Sequence, residues 1–108
     1  KLEPMISAAA WASCCDTIAR NDPHTRGIVI LGLEAGVEAL QESFRQAARF
    51  DLVKGFAVGR SIFGPAARRW LAGEIGDEEA VADMAQIYAG LCAAWDEARA
   101  ARKGGAGR

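Results

Sequence analysis

Gly27-Ile28-Val29-Ile30-Leu31-Gly32-Leu33 is the stretch on which the fold turns. It is short, β-branched, bounded by glycine and apolar without alternation. Such a run predicts a strand buried on both faces, as in parallel sheets. A second run of the same kind is Leu52-Val53-Lys54-Gly55-Phe56-Ala57-Val58. Between the two, from about Ala35 to Arg49, Val37, Leu40, Phe44, Ala47 and Ala48 recur at helical spacing. Strand, helix, strand with a connection of this length is a βαβ unit, whose crossover is right-handed.

Working outward, Ser7 is a good N-cap for a helix running to about Arg20, with Ile6 and Trp11 placed as a hydrophobic staple. Asn21-Asp22-Pro23 ends it, because proline cannot continue the hydrogen-bond ladder. Beyond the second strand, Gly59-Arg60-Ser61 turns the chain into a helix over about 61–72, with Phe63, Ala67, Trp70 and Leu71 expected on its buried face. Gly73 to Gly76 breaks the chain, and Asp77 then caps a last helix with Glu78 and Glu79 in its first turn. Val81, Met84, Ala85, Tyr88, Leu91, Cys92, Trp95 and Ala98 form one stripe along it, expected to pack as core. Arg99, Arg102 and Lys103 suit the negative end of its dipole. Residues 1–103 read as one structural portion and 104–108, rich in glycine, as a flexible tail.

The chain has 108 residues, 51% hydrophobic and 25% charged, with a formal net charge of −1. That is ordinary for a globular protein and leaves no nucleic-acid footprint. No apolar run approaches the roughly 20 residues that span a bilayer, and no signal-peptide pattern opens the chain. Cys14, Cys15 and Cys92 lack metal-ligand spacing and are odd in number, so neither a disulfide framework nor a zinc site is expected, and a reducing cytoplasm is.

Two doubly buried parallel strands cannot stand alone, since each leaves an unpaired edge. The order βαβα with continuous apolar strands means an open doubly wound sheet or a closed barrel. The turn after the second strand favours the barrel. Gly59 lets backbone approach an anion, Arg60 adds a forked cation, and Ser61 opens a helix whose N-terminus is partly positive. In (β/α)8 enzymes a phosphate site commonly forms after the last two strands, and Gly32 is then the second contributor. The competing reading makes Gly59 a tight turn and Arg60 a solvated charge. The expectation is therefore an α/β chain, the C-terminal fragment of a (β/α)8 barrel: the end of strand 6, helix 6, strand 7, helix 7, strand 8 and the C-terminal helices. The absence of an initiator methionine before Lys1 agrees with an excerpt.

The string DPHTRGIVILGLEA, together with LVKGFAVGRSIFGPAARRWLAG, resembles the C-terminal part of an aldolase-like barrel domain often fused behind a sugar kinase, the 5-dehydro-2-deoxygluconokinase of myo-inositol catabolism. It is more distantly similar to class I tagatose-bisphosphate aldolases. VKGFAVGRSIF is the most specific part, and the resemblance covers Lys1 to about Arg102. It implies a Schiff-base lysine at Lys1, since Lys1-Leu2-Glu3-Pro4 is similar to the Lys-Val-Glu-type stretch of those aldolases; Pro4 departs from it by following Glu3 directly. Gly59 and Arg60 match their Ala-Gly-Arg phosphate turn. The implied substrate is a phosphorylated keto-deoxy sugar acid, 2-deoxy-5-keto-gluconate 6-phosphate, split into dihydroxyacetone phosphate and malonate semialdehyde without metal or other cofactor. The implied partners are the remainder of a barrel, a sugar kinase domain and a second copy in a homo-oligomer.

The expected site is thus Lys1 and Glu3 for catalysis and Gly32, Gly59, Arg60 and Ser61 for phosphate. Lys54 is a rival Schiff-base lysine, but it lies roughly 16 Å of strand rise from the phosphate end. His24 precedes a strand and falls at the rim where active sites do not form. Glu34 follows the first strand on the correct side and reads as an acid–base group or a solvated charge. Cys92 reads as core, and neither Cys14 nor Cys15 has a visible activating base. Two other classes of function stand beside the aldolase: a non-catalytic phosphosugar-binding domain accompanying the kinase, and a helical module docking through its last helix.

Overall fold

The structure, a computed structural model, describes residues 1–105. Six elements follow in order: α1 (Ala8–Asn21), β1 (Ile28–Leu31), α2 (Val37–Ala47), β2 (Val53–Ala57), α3 (Arg60–Leu71) and α4 (Asp77–Gly105). The Ser7 hydroxyl caps α1 by accepting from the Ala10 N–H, and the helix stops at Asp22, just before Pro23. Of the tail expected over 104–108, residues 104 and 105 end α4, and 106–108 lie outside the described residues.

β1 and β2 pair in parallel, with Val29 beside Gly55, Ile30 beside Phe56 and Leu31 beside Ala57. An irregularity between Ile28 and Val29 leaves Lys54 as an extra residue on β2, a bulge that puts Val53 and Phe56 on one face. Leu2 adds a parallel bridge to Ile30. Its N–H donates to the Val29 carbonyl at 3.0 Å and its carbonyl accepts from the Leu31 N–H at 2.7 Å.

One face of this small sheet is the core. Ile28, Ile30 and Val53 are buried with Trp11, Leu40, Phe44, Leu91 and Trp95, and Leu2 and Phe56 pack against them. Phe44 stacks on Phe56 with centroids 5.0 Å apart and meets Trp95 edge-on at 5.7 Å. In the other direction the strands present Val29, Leu31 and Gly55, all half-buried, and Ala57, exposed.

The expectation of a barrel fragment is corrected here. The described chain is mostly helical, with a two-stranded parallel sheet and no barrel. An unbroken apolar run was taken to mean burial on both faces. In β1 the pattern is instead alternately buried and half-buried, the signature of a sheet covered on one side. Four helices outweigh the sheet, and α4 packs along both α2 and α3 to close the covered face.

Two helix faces also differ from expectation. In α3 the buried residue is Ala66, whereas Phe63, Trp70 and Leu71 are exposed. α3 leaves the sheet and lies on α4 through a satellite cluster of Ala66, Ile75, Ala80 and Met84, and the small residue makes the close contact. In α4 the inward residues are Ala80, Leu91, Trp95 and Ala98, while Val81 faces outward and Tyr88, largely exposed, meets the Phe56 ring edge-on. No helix among the described residues is long and apolar enough to cross a membrane.

The end of α4 is tied to the turn before β2. Arg99 donates to the Ala48 carbonyl at 2.8 Å and stacks over Trp95 at 4.9 Å, and Arg102 pairs with Asp51. The hydrogen bond from Arg102, then the charges of Arg102, Lys54 and Arg99, hold the Asp51 carboxyl below the usual carboxylate range. A folded-state value lower than the unfolded one stabilises the fold above the ordinary carboxylate pKa and is lost as pH falls through the folded value. Acid unfolding followed by circular dichroism is therefore expected to begin below about pH 4, with a shallower slope in Asp51→Asn.

Candidate functional site

Because β1 and β2 are parallel, the loops that leave them emerge at one rim. Gly32 follows β1, and Val58 and Gly59 follow β2. The loops touch there: a Cβ built on Gly32 would lie 2.9 Å from the Val58 Cγ1 and 3.0 Å from the Ser61 Oγ. Gly32 is buried, so only a hydrogen fits.

Ser61 ties the two loops by donating its hydroxyl to the Ala35 carbonyl at 2.9 Å. Arg60 reaches across to Glu34, Nη1 to Oε1 3.3 Å, with both side chains largely exposed. The helices that start here, α2 and α3, have glycine N-caps, Gly36 and Gly59, and neither cap offers a side-chain hydrogen bond. Their first N–H groups are therefore not taken by capping side chains, and both dipoles direct partial positive charge at this rim. A cavity of about 630 Å³ opens beside them, lined by Glu34, Ala35, Gly36, Arg60, Ser61 and Gly64 among others.

The loop between β1 and α2 is strained. Leu33 and Glu34 have φ of 49° and 65°, the left-handed region that costs about 1–2 kcal/mol for a residue with a side chain. Two such residues in succession persist only where surrounding structure holds them, which is common at ligand sites. α3 carries a second irregularity, Pro65 inside the helix. Lacking an N–H, it leaves the Ser61 carbonyl without its helical partner.

The four residues expected to hold phosphate, Gly32, Gly59, Arg60 and Ser61, thus share one rim. Lys1 and Glu3 flank Leu2, whose side chain joins the core. Alternation along an extended segment turns both to the opposite, open face of the sheet, and both are exposed. The bridge Leu2–Ile30 sets Glu3 level with Leu31 and Ala57 at the rim and Lys1 level with Val29, two residues lower. Lys54 is elsewhere: its side chain runs past Gly27, where an added Cβ would clash with its Cγ, at the rim where the strands begin. His24 is exposed in the turn before β1, at that same far rim. Burial pushes the Cys15 thiol up, with Cys14 and Asp16 adding to the shift; this is the reverse of what a reactive thiol needs. Among the described residues no group of His, Cys, Asp or Glu side chains could hold a metal ion.

Sequence reasoning missed the Glu34–Arg60 pair, the Ala35 carbonyl and the left-handed Leu33. Gly36, a glycine N-cap close behind Glu34, was the available signal for the second helix start.

The chain is therefore a parallel βα unit with two open helix N-termini and an arginine at the C-terminal rim of its sheet. It belongs to the family described as uncharacterized protein conserved in bacteria, DUF2090, whose model matches residues 1–99. Neither a curated protein nor a solved structure matches it.

Proposed function

We propose that this chain grips the phosphoryl end of a phosphorylated keto-deoxy sugar acid and takes part in its Schiff-base cleavage. The observation that carries the reading is the convergence of Gly32, Gly59, Arg60 and Ser61 on one rim beside two uncapped helix starts. Backbone N–H groups at a helix N-terminus and a guanidinium fork are the chemistry that phosphate takes. Glu34 pairs with Arg60, and a phosphoryl group would displace it.

The resemblance to class I aldolases, and to a domain fused behind a sugar kinase, supplies the finer part. Lys1 and Glu3 lie two residues apart on the open face, about 7 Å along the segment, so one substrate can meet both. Lys1 Nζ would condense with the C5 carbonyl of 2-deoxy-5-keto-gluconate 6-phosphate, losing water to form an iminium. Glu3 would take the proton of the C3 hydroxyl. The C3–C4 bond then breaks, its electron pair moves into the iminium, and malonate semialdehyde leaves. Protonation of the enamine at C4 and hydrolysis release dihydroxyacetone phosphate and restore the amine. The phosphate grip would use binding energy remote from the reacting carbons to place them.

The test is borohydride trapping of the protein with dihydroxyacetone phosphate, read by peptide mass spectrometry. A reduced adduct on Lys1 is expected, absent in Lys1→Ala and about tenfold weaker in Arg60→Gln, since a charge-assisted hydrogen bond contributes about 1.5–3 kcal/mol. An adduct confined to Lys54, or equal trapping by Lys1→Ala, refutes the catalytic assignment. Phosphate protection against thermal unfolding that disappears in Arg60→Gln, with no adduct in any form, would leave a non-catalytic phosphosugar-binding domain.

A further inference from the structure

The rim where the strands begin holds a second cationic feature, apart from the site above. The C-terminal turns of α2 and α4 run side by side there and leave a cleft of about 430 Å³. Arg45 and Arg49 line it from one side and Arg102 from the other, with Ala98 and Ala101 between. Arg45 sits in the last turn of α2 and Arg49 in the turn just after it, and both face the cleft. The alanines leave room where longer side chains would fill the groove.

Helix C-termini attract cations, and that accounts for part of this cluster. Arg99 is used in this way, donating to the Ala48 and Phe50 carbonyls at 2.8 and 3.3 Å. Arg45 is paired with Glu42 and Arg102 with Asp51. Arg49 has no ion pair among the described residues, although it faces the same groove. The cluster also repels itself: the Arg99 guanidinium is held below its usual range, first by burial and then by the Arg102 charge. Arg45 and Arg49 lie near Glu42, and Arg102, Lys54 and Arg99 near Asp51, five cations to two carboxylates, with Arg45, Arg49 and Arg102 lining the cleft itself. Glu97 is a further carboxylate in the neighbouring groove that Arg45 and Ala98 share. Positive charge is left in excess at a concave surface.

We propose that this cleft binds a small multivalent anion, one carrying two or more phosphoryl or carboxylate groups. Guanidinium forks hold such groups bidentately, and arginines on both walls suit a ligand with charge at two ends. The site is independent of the aldolase reading, because it lies at the opposite rim and shares no residue with Gly32, Gly59, Arg60 or Ser61.

Calorimetric titration of the chain with pyrophosphate and with citrate, at ionic strength matched by sodium chloride, tests it. Saturable binding of pyrophosphate at millimolar or lower concentration is expected to persist in Arg60→Gln, which disables the grip at the other rim, and to weaken about tenfold when Arg49→Gln is added to it. Citrate binding with the same dependence on Arg49 would extend the ligand class to carboxylates, and its absence would narrow the class to phosphoryl groups. No saturable binding of either anion overturns the proposal. So does pyrophosphate binding that Arg60→Gln removes and Arg49→Gln leaves intact, which would assign the anion to the other rim.

Discussion

Phe44→Ala is expected to remove about 3–5 kcal/mol of folding free energy. Phe44 is fully buried, and its ring connects three elements: it sits on α2, stacks on Phe56 of β2 and meets Trp95 of α4 edge-on. Truncation forfeits the transfer free energy of the ring and leaves a cavity that Leu40 and Trp95 cannot both collapse into. It also loses aromatic-pair geometry of about 0.5–1.5 kcal/mol for each contact. A domain of this size is stable by about 5–15 kcal/mol, so the loss is a large share of the total and brings a domain at the low end of that range to the threshold of folding. Urea unfolding followed by near-ultraviolet circular dichroism measures it. Phe63→Ala is the matched control. Periodicity assigns Phe63 to a buried face as well, yet 45% of its surface is exposed, and its loss is expected to stay within about 0.5 kcal/mol. Equal effects at the two positions would show that α3 packs the other way round.

The contrast between those two phenylalanines marks how far the sequence can be read. Local signals with a chemical mechanism carried through: the Ser7 cap and the stop at Asp22 before Pro23. Asp77, expected as the cap of the last helix, is instead its first residue and accepts from the Trp70 indole N–H. α2 was legible because Leu40, Phe44 and Ala47 form one dominant stripe, and these residues are buried. In α4 the alanine-rich sequence offers two adjacent stripes that satisfy helical spacing equally. Which one turns inward depends on where α2 and α3 lie, and periodicity does not carry that. The barrel expectation failed for a related reason. Ile28 to Leu31 is apolar at every position, and an apolar residue is tolerated on a half-exposed face without leaving any mark in the pattern.

At the rim, the nearness of Gly32 and Gly59 followed from one inference, that the strands are parallel. The Glu34–Arg60 pair joins a loop residue to the first residue of α3, 26 positions on, and its geometry needs the path of the loop and the direction of the helix. Leu33 in the left-handed region was invisible because that conformation ordinarily announces itself by glycine or asparagine.

Gly32→Ala is the change expected to damage the rim most. The methyl group would stand 2.9 Å from the Val58 Cγ1 and 3.0 Å from the Ser61 Oγ, closer than carbon tolerates. Val58 can rotate away in part, but Ser61 is fixed at the first turn of α3 and bonded to the Ala35 carbonyl. Relief therefore means breaking that bond and moving the start of α3 off the loop that carries Glu34. The overpacking is expected to cost about 1–3 kcal/mol, with the orphaned carbonyl adding about 1 kcal/mol. Displacing the N-terminus of α3 also separates the two helix starts, so phosphate affinity is expected to fall at least about tenfold beyond any loss of folded protein. Gly36→Ala separates the local clash from a general effect of removing a glycine: nothing lies within 4 Å of a Cβ at Gly36, and its phosphate affinity is expected to change little. Phosphate titration of both variants under conditions where each is fully folded is the measurement. Wild-type affinity in Gly32→Ala would mean that contact between the two loops has no part in holding the anion.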